Sequence, residues 1–166
     1  STGSIGNAVL NVVKKNNSNF KIKLLTTNKN IKKIYQQAVY FNVKKVVILD
    51  YKNYKKFSHL FRKKKIKVYS KIDEALKTFT KRVYFTISGI SGIEGLEPTL
   101  KTIKYTENLG IANKESIICG WKFIKKSLKK NNTNFVPLDS EHFSIWSLIK
   151  SENIDNIKKI YLTASG

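Results

Sequence analysis

A single cysteine, two arginines and 11 acidic residues among 166 positions set the first limits on this chain. Cys119 has no partner for an internal disulfide, which fits a reducing, cytoplasmic setting. With no histidine nearby and a helical pattern around it, Cys119 reads as a small packing residue. No apolar run approaches the ~20 residues of a membrane helix, so no membrane partner is expected, and no signal-peptide pattern opens the chain. The shortage of arginine bears on the charge. The net charge is +21, yet Arg62 and Arg82 are the only arginines, so the excess is lysine. Base readers use arginine forks and clustered stripes with interleaved aromatics. Here the lysines recur as Lys-Lys pairs along every predicted helix. The densest run, residues 62–65, ends a helix, where cations suit the dipole. A compositional bias toward Lys, Asn and Ile accounts for this spread. Weak binding to polyanions at low salt is expected, and a specific nucleic-acid partner is not.

What is present is regular alternation. Short apolar runs at residues 20–25, 46–49, 66–69, 83–87, 109–112 and 135–138 predict strands. Helices are predicted between them by Ile31/Ile34/Tyr35/Ala38, Tyr54/Phe57/Leu60/Phe61, Ile72/Ala75/Leu76/Phe79, Leu100/Ile103 and Ile117/Trp121/Ile124/Leu128. A further helix at the start carries Ile5, Ala8, Val9, Val12 and Val13. Such repetition predicts an α/β fold with a doubly wound, mostly parallel sheet and helices on both faces. The aromatics in these stripes, Trp121 included, read as core, and His59 as a solvated surface residue. Past His142 the pattern changes to a short apolar helix at 143–149, a polar stretch and a strand at 160–163. A domain boundary is expected near Leu138/Asp139. Both ends of the sequence cut through elements, so the chain reads as a fragment.

Chemistry-bearing residues gather where strands give way to helices, the ligand-binding edge of an open α/β sheet. Residues 1–6 (Ser-Thr-Gly-Ser-Ile-Gly) form a Gly-rich turn feeding a helix, a phosphate cradle of free N–H groups. The next strand ends Leu25-Thr-Thr-Asn-Lys-Asn30 without the acid that a ribose 2′-hydroxyl usually meets. Lys29 instead attracts a 2′-phosphate and Asn30 can donate to it, which favours NADP. Residues 88–95 supply three glycines, either for close approach to a ligand or for a tight turn alone. Glu94 and Glu97 are explained by placement at a helix start. Asn113, Lys114 and Glu115 follow one apolar run. Asp139, Ser140, Glu141 and His142 follow another. Asp139 and Glu141 suit a hard divalent cation but need further ligands, and capping of the next helix competes with that role. His142 is a weaker candidate ligand.

In this order, Ser-Thr-Gly-Ser-Ile-Gly, Gly-Leu-x-Pro-Thr-Leu, Ala-Asn-Lys-Glu-Ser, Pro-x-Asp-Ser-Glu-His and Leu-Thr-Ala-Ser-Gly resemble the 1-deoxy-D-xylulose 5-phosphate reductoisomerase family. The likeness runs the length of the chain. It implies a Rossmann-like NADPH-binding domain at 1–138 that lacks its first strand. The beginning of an α+β catalytic domain would follow at 139–166. Thr2, Gly3, Ser4 and Ile5 would hold the NADPH pyrophosphate, and Lys29 and Asn30 the 2′-phosphate end. Asn113 and Glu115 would contact the cofactor near the nicotinamide. Lys114, Ser140, Glu141 and Ser165 would meet a sugar-phosphate substrate. Asp139 and Glu141 would bind Mn²⁺ or Mg²⁺, with Lys114, Asp139 and Glu141 as the catalytic set. The resemblance also implies a homodimer at full length.

Two departures from the family pattern stand out. Asn28 replaces the usual glycine before Lys29, and Phe143 and Trp146 are bulkier than the common choices on what is expected to be a buried helix. A third metal carboxylate, most phosphate ligands and a lid are expected beyond Gly166. The rival readings are another NADP-dependent Rossmann oxidoreductase and a basic nucleic-acid-binding module.

Overall fold

The computed structural model describes residues 1–16 and 19–161. Six parallel strands alternate with helices: α1 (Ser4–Lys15), β1 (Leu25–Thr27), α2 (Ile31–Tyr40), β2 (Lys45–Ile48), α3 (Tyr51–Arg62), β3 (Lys67–Tyr69) and α4 (Ile72–Leu76). Then come β4 (Val83–Ser88), α5 (Leu96–Thr102), β5 (Thr106–Ile111), α6 (Lys114–Asn131), β6 (Asn134–Pro137) and α7 (Ser140–Ile149). Backbone pairing divides the strands into two three-stranded halves, β1-β2-β3 and β4-β5-β6. The N-terminal turn touches both halves. The Ser1 nitrogen donates to the Thr26 carbonyl at the β1 edge, and Ile5 packs against Gly89 just past β4.

Burial explains why the strands read as unbroken apolar runs. Val46, Val47 and Ile48 are consecutive and fully buried, so β2 is covered on both faces. One face joins Leu25, Ile34, Ala38, Phe61 and Ile66; Val47 on the other joins Ile72, Ala75 and Leu76. The second half has its own cluster of Ile103, Leu109, Ile111, Ile124 and Leu128. Arg82 fastens that half at its base. Its guanidinium donates to the carbonyls of Thr106 (2.9 Å), Asn131 (3.0 Å) and Asn132 (3.3 Å) and to Thr133 Oγ1 (2.7 Å).

Several expectations need correcting. The first strand is Leu25–Thr27 rather than 20–25: pairing starts at Leu25 opposite Val46, and because β2 begins at Lys45 the residues before Leu24 have no β2 residue opposite them. Helix α1 forms, but it buries Leu10 rather than the predicted stripe, and Val12 is 57% exposed. Cys119 is exposed on α6, so it is not a packing residue. Trp121 is at the core's margin, edge-on to Phe135, rather than inside. Helix α7 is not buried. None of its residues is fully buried, although Ile145, Trp146 and Ile149 are half-covered, and Phe143 and Trp146 pack on each other at 5.7 Å between centroids. Of the strand predicted at 160–163, Ile160 and Tyr161 are unpaired and exposed, with no strand beside them among the described residues. Residues 162 and 163 lie outside the described residues.

Candidate functional site

Parallel pairing brings four Asn and Asp residues to one edge. Asn30, Asp50, Asn113 and Asp139 each lie two or three residues past a strand and cap the helix that follows, accepting from Lys33, Asn53, Ser116 and His142 N–H groups. An Asx side chain offers the exposed first-turn N–H groups an acceptor. Each helix therefore starts immediately after its strand, on the edge where ligands bind.

Helix α1 differs. Its N-cap is Gly3, no side chain caps it, and its first-turn N–H groups are open to an anion. The turn before it is tightly held. Thr2 Oγ1 lies 2.9 Å from Thr27 Oγ1, Ser1 Oγ donates to Gln37 Oε1 at 2.8 Å, and Asn7 Nδ2 donates to the Thr2 carbonyl at 3.2 Å. At Gly6 a Cβ would collide with the Ser1 backbone, so this glycine permits the close fold-back. Lys29 and Asn30 are exposed at the same end of β1, and the Asn30 carbonyl is spent on its cap.

Lys114, Ser140 and Glu141 converge although separated by a whole helix and strand. Lys114 Nζ lies 3.3 Å from each Glu141 carboxylate oxygen, and Ser140 Oγ donates to Glu141 Oε2 at 2.9 Å. Glu141 is held below the usual carboxylate range by backbone hydrogen bonding first, then by Ser140 and Lys114. Glu115 is exposed in the first turn of α6.

Asp139 is buried, and its two oxygens fare differently. Oδ2 accepts from the His142 N–H at 3.2 Å and lies 2.5 Å from His142 Nδ1. Oδ1 is buried and has no hydrogen-bond partner among the described residues. Burial alone would raise this carboxyl, but the His142 ring, backbone N–H and charge outweigh it and hold Asp139 below its ordinary value. A buried, ionised oxygen with no donor is costly unless something cationic meets it. The donor set therefore fits a divalent cation at Asp139. Among the described residues no group of three His, Cys, Asp or Glu side chains completes such a site. The His142 ring is turned to Asp139 rather than standing as a separate ligand. Ser165 lies outside the described residues.

Sequence reasoning missed how fully Asn113 is used. It is 4% exposed, donates from Nδ2 to the carbonyls of Ile90 and Gly92 (2.7 Å to the latter), and accepts from Ser116 N–H at 2.9 Å. The Lys114–Glu141 pair was also not read. No local pattern encodes either, because both partners are set by the register of parallel strands.

Comparison with known proteins agrees with this architecture. The family model for 1-deoxy-D-xylulose 5-phosphate reductoisomerase matches residues 1–120, and the model for that enzyme's C-terminal domain matches residues 135–166. A 1-deoxy-D-xylulose 5-phosphate reductoisomerase from Pelagibacter ubique is 51% identical over 168 residues, covering 100% of this chain and 43% of that protein. One from Clostridium kluyveri is 33% identical, covering 99% of this chain and 44% of its own length. The chain thus spans less than half the length of these relatives. The Zymomonas mobilis reductoisomerase solved with NADPH superposes with a TM-score of 0.77 at 28% identity, over 85% of this chain and 37% of that one. A reductoisomerase solved with NADPH, fosmidomycin and magnesium gives a TM-score of 0.81 at 25% identity, over 91% and 38%. No helix among the described residues is long and apolar enough to cross a membrane. With the match covering most of its length, this chain belongs to the 1-deoxy-D-xylulose 5-phosphate reductoisomerase family.

Proposed function

We propose that these residues form the cofactor domain and the start of the catalytic domain of an NADPH- and divalent-metal-dependent enzyme. It converts 1-deoxy-D-xylulose 5-phosphate to 2-C-methyl-D-erythritol 4-phosphate in non-mevalonate isoprenoid synthesis. The observation that carries this reading is the buried Asp139 Oδ1, which meets no partner among the described residues, beside the Lys114–Glu141 pair. The domain boundary of this reading is at Leu138/Asp139, supported by the end of the last paired strand at Pro137 and the start of α7 at Ser140. The enzyme acts in the cytoplasm as a homodimer, on a small sugar phosphate.

Each residue then has a task. The open N–H groups at Thr2, Gly3, Ser4 and Ile5 receive the pyrophosphate. Lys29 and Asn30 face the 2′-phosphate, and the absence of an acid there leaves it unopposed. Glu115 stands near the nicotinamide end, and Asn113 acts there through the loop described below. Asp139 Oδ1 and Glu141 would hold Mn²⁺ or Mg²⁺, with Asp139 steadied by His142. When bound, the metal supplies Lewis-acid stabilisation of charge on the substrate's oxygens. Lys114 and Ser140 bind and orient the substrate, and Ser165 is assigned to it as well. Lys114, held by Glu141 in the resting arrangement, keeps its ammonium charge at the position where substrate oxygens arrive.

Steady-state assay of the full-length protein tests the reading. NADPH should be strongly preferred over NADH, Lys29→Glu should reverse much of that preference, and a chelator should stop turnover without preventing NADPH binding. Equal use of both cofactors by the unmutated enzyme, or full activity in chelator, would overturn it.

A further inference from the structure

Residues 88–95 lie between two parts of the proposed cofactor site. At one end Gly89 backs onto Ile5 in the first turn of α1, with Ile5 Cγ2 only 3.0 Å from where a Cβ would stand. At the other end Gly95 has no room for a Cβ, because the Asn113 amide and the Ile90 carbonyl occupy it. Ile90 anchors the loop inward against the cluster of Val47, Ile72 and Leu76. Gly92, at φ 75° and ψ 179°, takes a backbone shape that side-chain-bearing residues avoid. The Asn113 amide spans this turn, one N–H to Ile90 and one to Gly92, while its oxygen caps α6.

Both amide donors are therefore consumed inside the protein, and the residue is almost fully buried. The Gly92 carbonyl also accepts from the Gly95 N–H at 3.1 Å, but the part-buried Ile90 carbonyl would lose its donor if the Asn113 amide turned to a cofactor. We infer that Asn113 is a positioning residue that locks the 88–95 loop against the first turn of α1, making the loop backbone one wall of the NADPH cleft. Its influence on the cofactor passes through that loop. This inference rests on the reading that α1's first turn receives the NADPH pyrophosphate.

Two substitutions in the full-length protein test it. Asn113→Asp keeps the acceptor that caps α6 but removes both donors and sets a carboxylate against two carbonyls. Gly92→Ala strains the same turn from the other side, where the added Cβ meets nothing within 4 Å. Each should weaken NADPH binding, read by cofactor fluorescence, by about tenfold, the scale of one lost hydrogen bond. The double variant should be little worse than the poorer single one, since both release one element. Amide exchange across residues 89–95 should rise in both. The NADPH to NADH preference should not move, because the 2′-phosphate end is held elsewhere. Multiplied losses in the double variant, or unchanged loop exchange in Asn113→Asp, would overturn the positioning role. Failure of the unmutated protein to bind NADPH would instead overturn the cofactor reading itself, and this inference with it.

Discussion

Asn113 and Asp139 occupy equivalent places. Ile111 pairs with Pro137 across β5 and β6, and each cap follows its strand residue by two positions. Each accepts from the N–H three residues on, at 2.9 Å and 3.2 Å. Each is buried. They differ in what remains after capping. The Asn113 amide is saturated by the loop it holds, whereas Asp139 keeps one buried oxygen with no donor among the described residues. Identical local geometry thus supports two uses: a satisfied polar group builds structure, and an unsatisfied one awaits a ligand. The helices behind them differ in the same sense. α6 buries Ser116, Gly120, Ile124 and Leu128, and α7 buries nothing.

The largest effect expected from breaking this contrast is on turnover. Asp139→Asn retains a cap acceptor, so the melting temperature should scarcely move. Turnover in the full-length protein should fall by more than the roughly 10–100-fold that outer partners of a metal ligand cost. Normal turnover with a lowered melting temperature would make Asp139 a cap and nothing else. The next contrast is in packing. Ile124→Ala on α6 should cost about 2–5 kcal/mol in a denaturant melt. Phe143→Ala on α7 should cost under about 1 kcal/mol, because its ring is already 43% exposed. Similar losses would mean that α7 is covered in the folded protein.

The smallest effect is on pH. Asp139 is depressed in the folded state, so its contribution is fully present above the unfolded value of about 3.9 and lost as pH falls through and below it. The Asn113 cap does not titrate. Trp121 on α6 and Trp146 on α7 separate the two ends. In variants keeping one tryptophan each, acidification should alter Trp146 emission at higher pH than Trp121 emission. Coincident changes would refute the distinction.

The strand-helix alternation was legible because burial on both sides of a parallel sheet leaves unbroken apolar runs. Val46 to Ile48 are such a run. Strand ends were less legible. Residues 20–23 look as strand-like as Leu25, and what excludes them is where β2 begins, a fact about a partner. The Asn-Lys-Glu-Ser and Asp-Ser-Glu-His clusters were visible because charged residues directly after apolar runs break a pattern that the core requires. Their division of labour was not visible. Only register shows that the Asn113 amide points back to Gly92 or that Lys114 meets Glu141. The exposure of Phe143 and Cys119 was missed for a related reason. A helical stripe states which side is apolar, but not whether anything covers it.

Arg82 gives this geometry a longer reach. In a chain whose cations are nearly all lysine, a planar fork is placed where several acceptors must be met at once, which a lysine's point charge cannot match. It grips the carboxyl end of α6, while the Asn113 cap grips the other end. Eighteen residues make a rod of about 27 Å. Held at both tips, that rod can neither slide along its axis nor roll freely. The alignment of Lys114 with Glu141 is therefore set partly at the far end of the domain. A lysine at position 82 would leave every residue of the site intact and still detune it, as a strut with one loosened bolt shifts the load it carries.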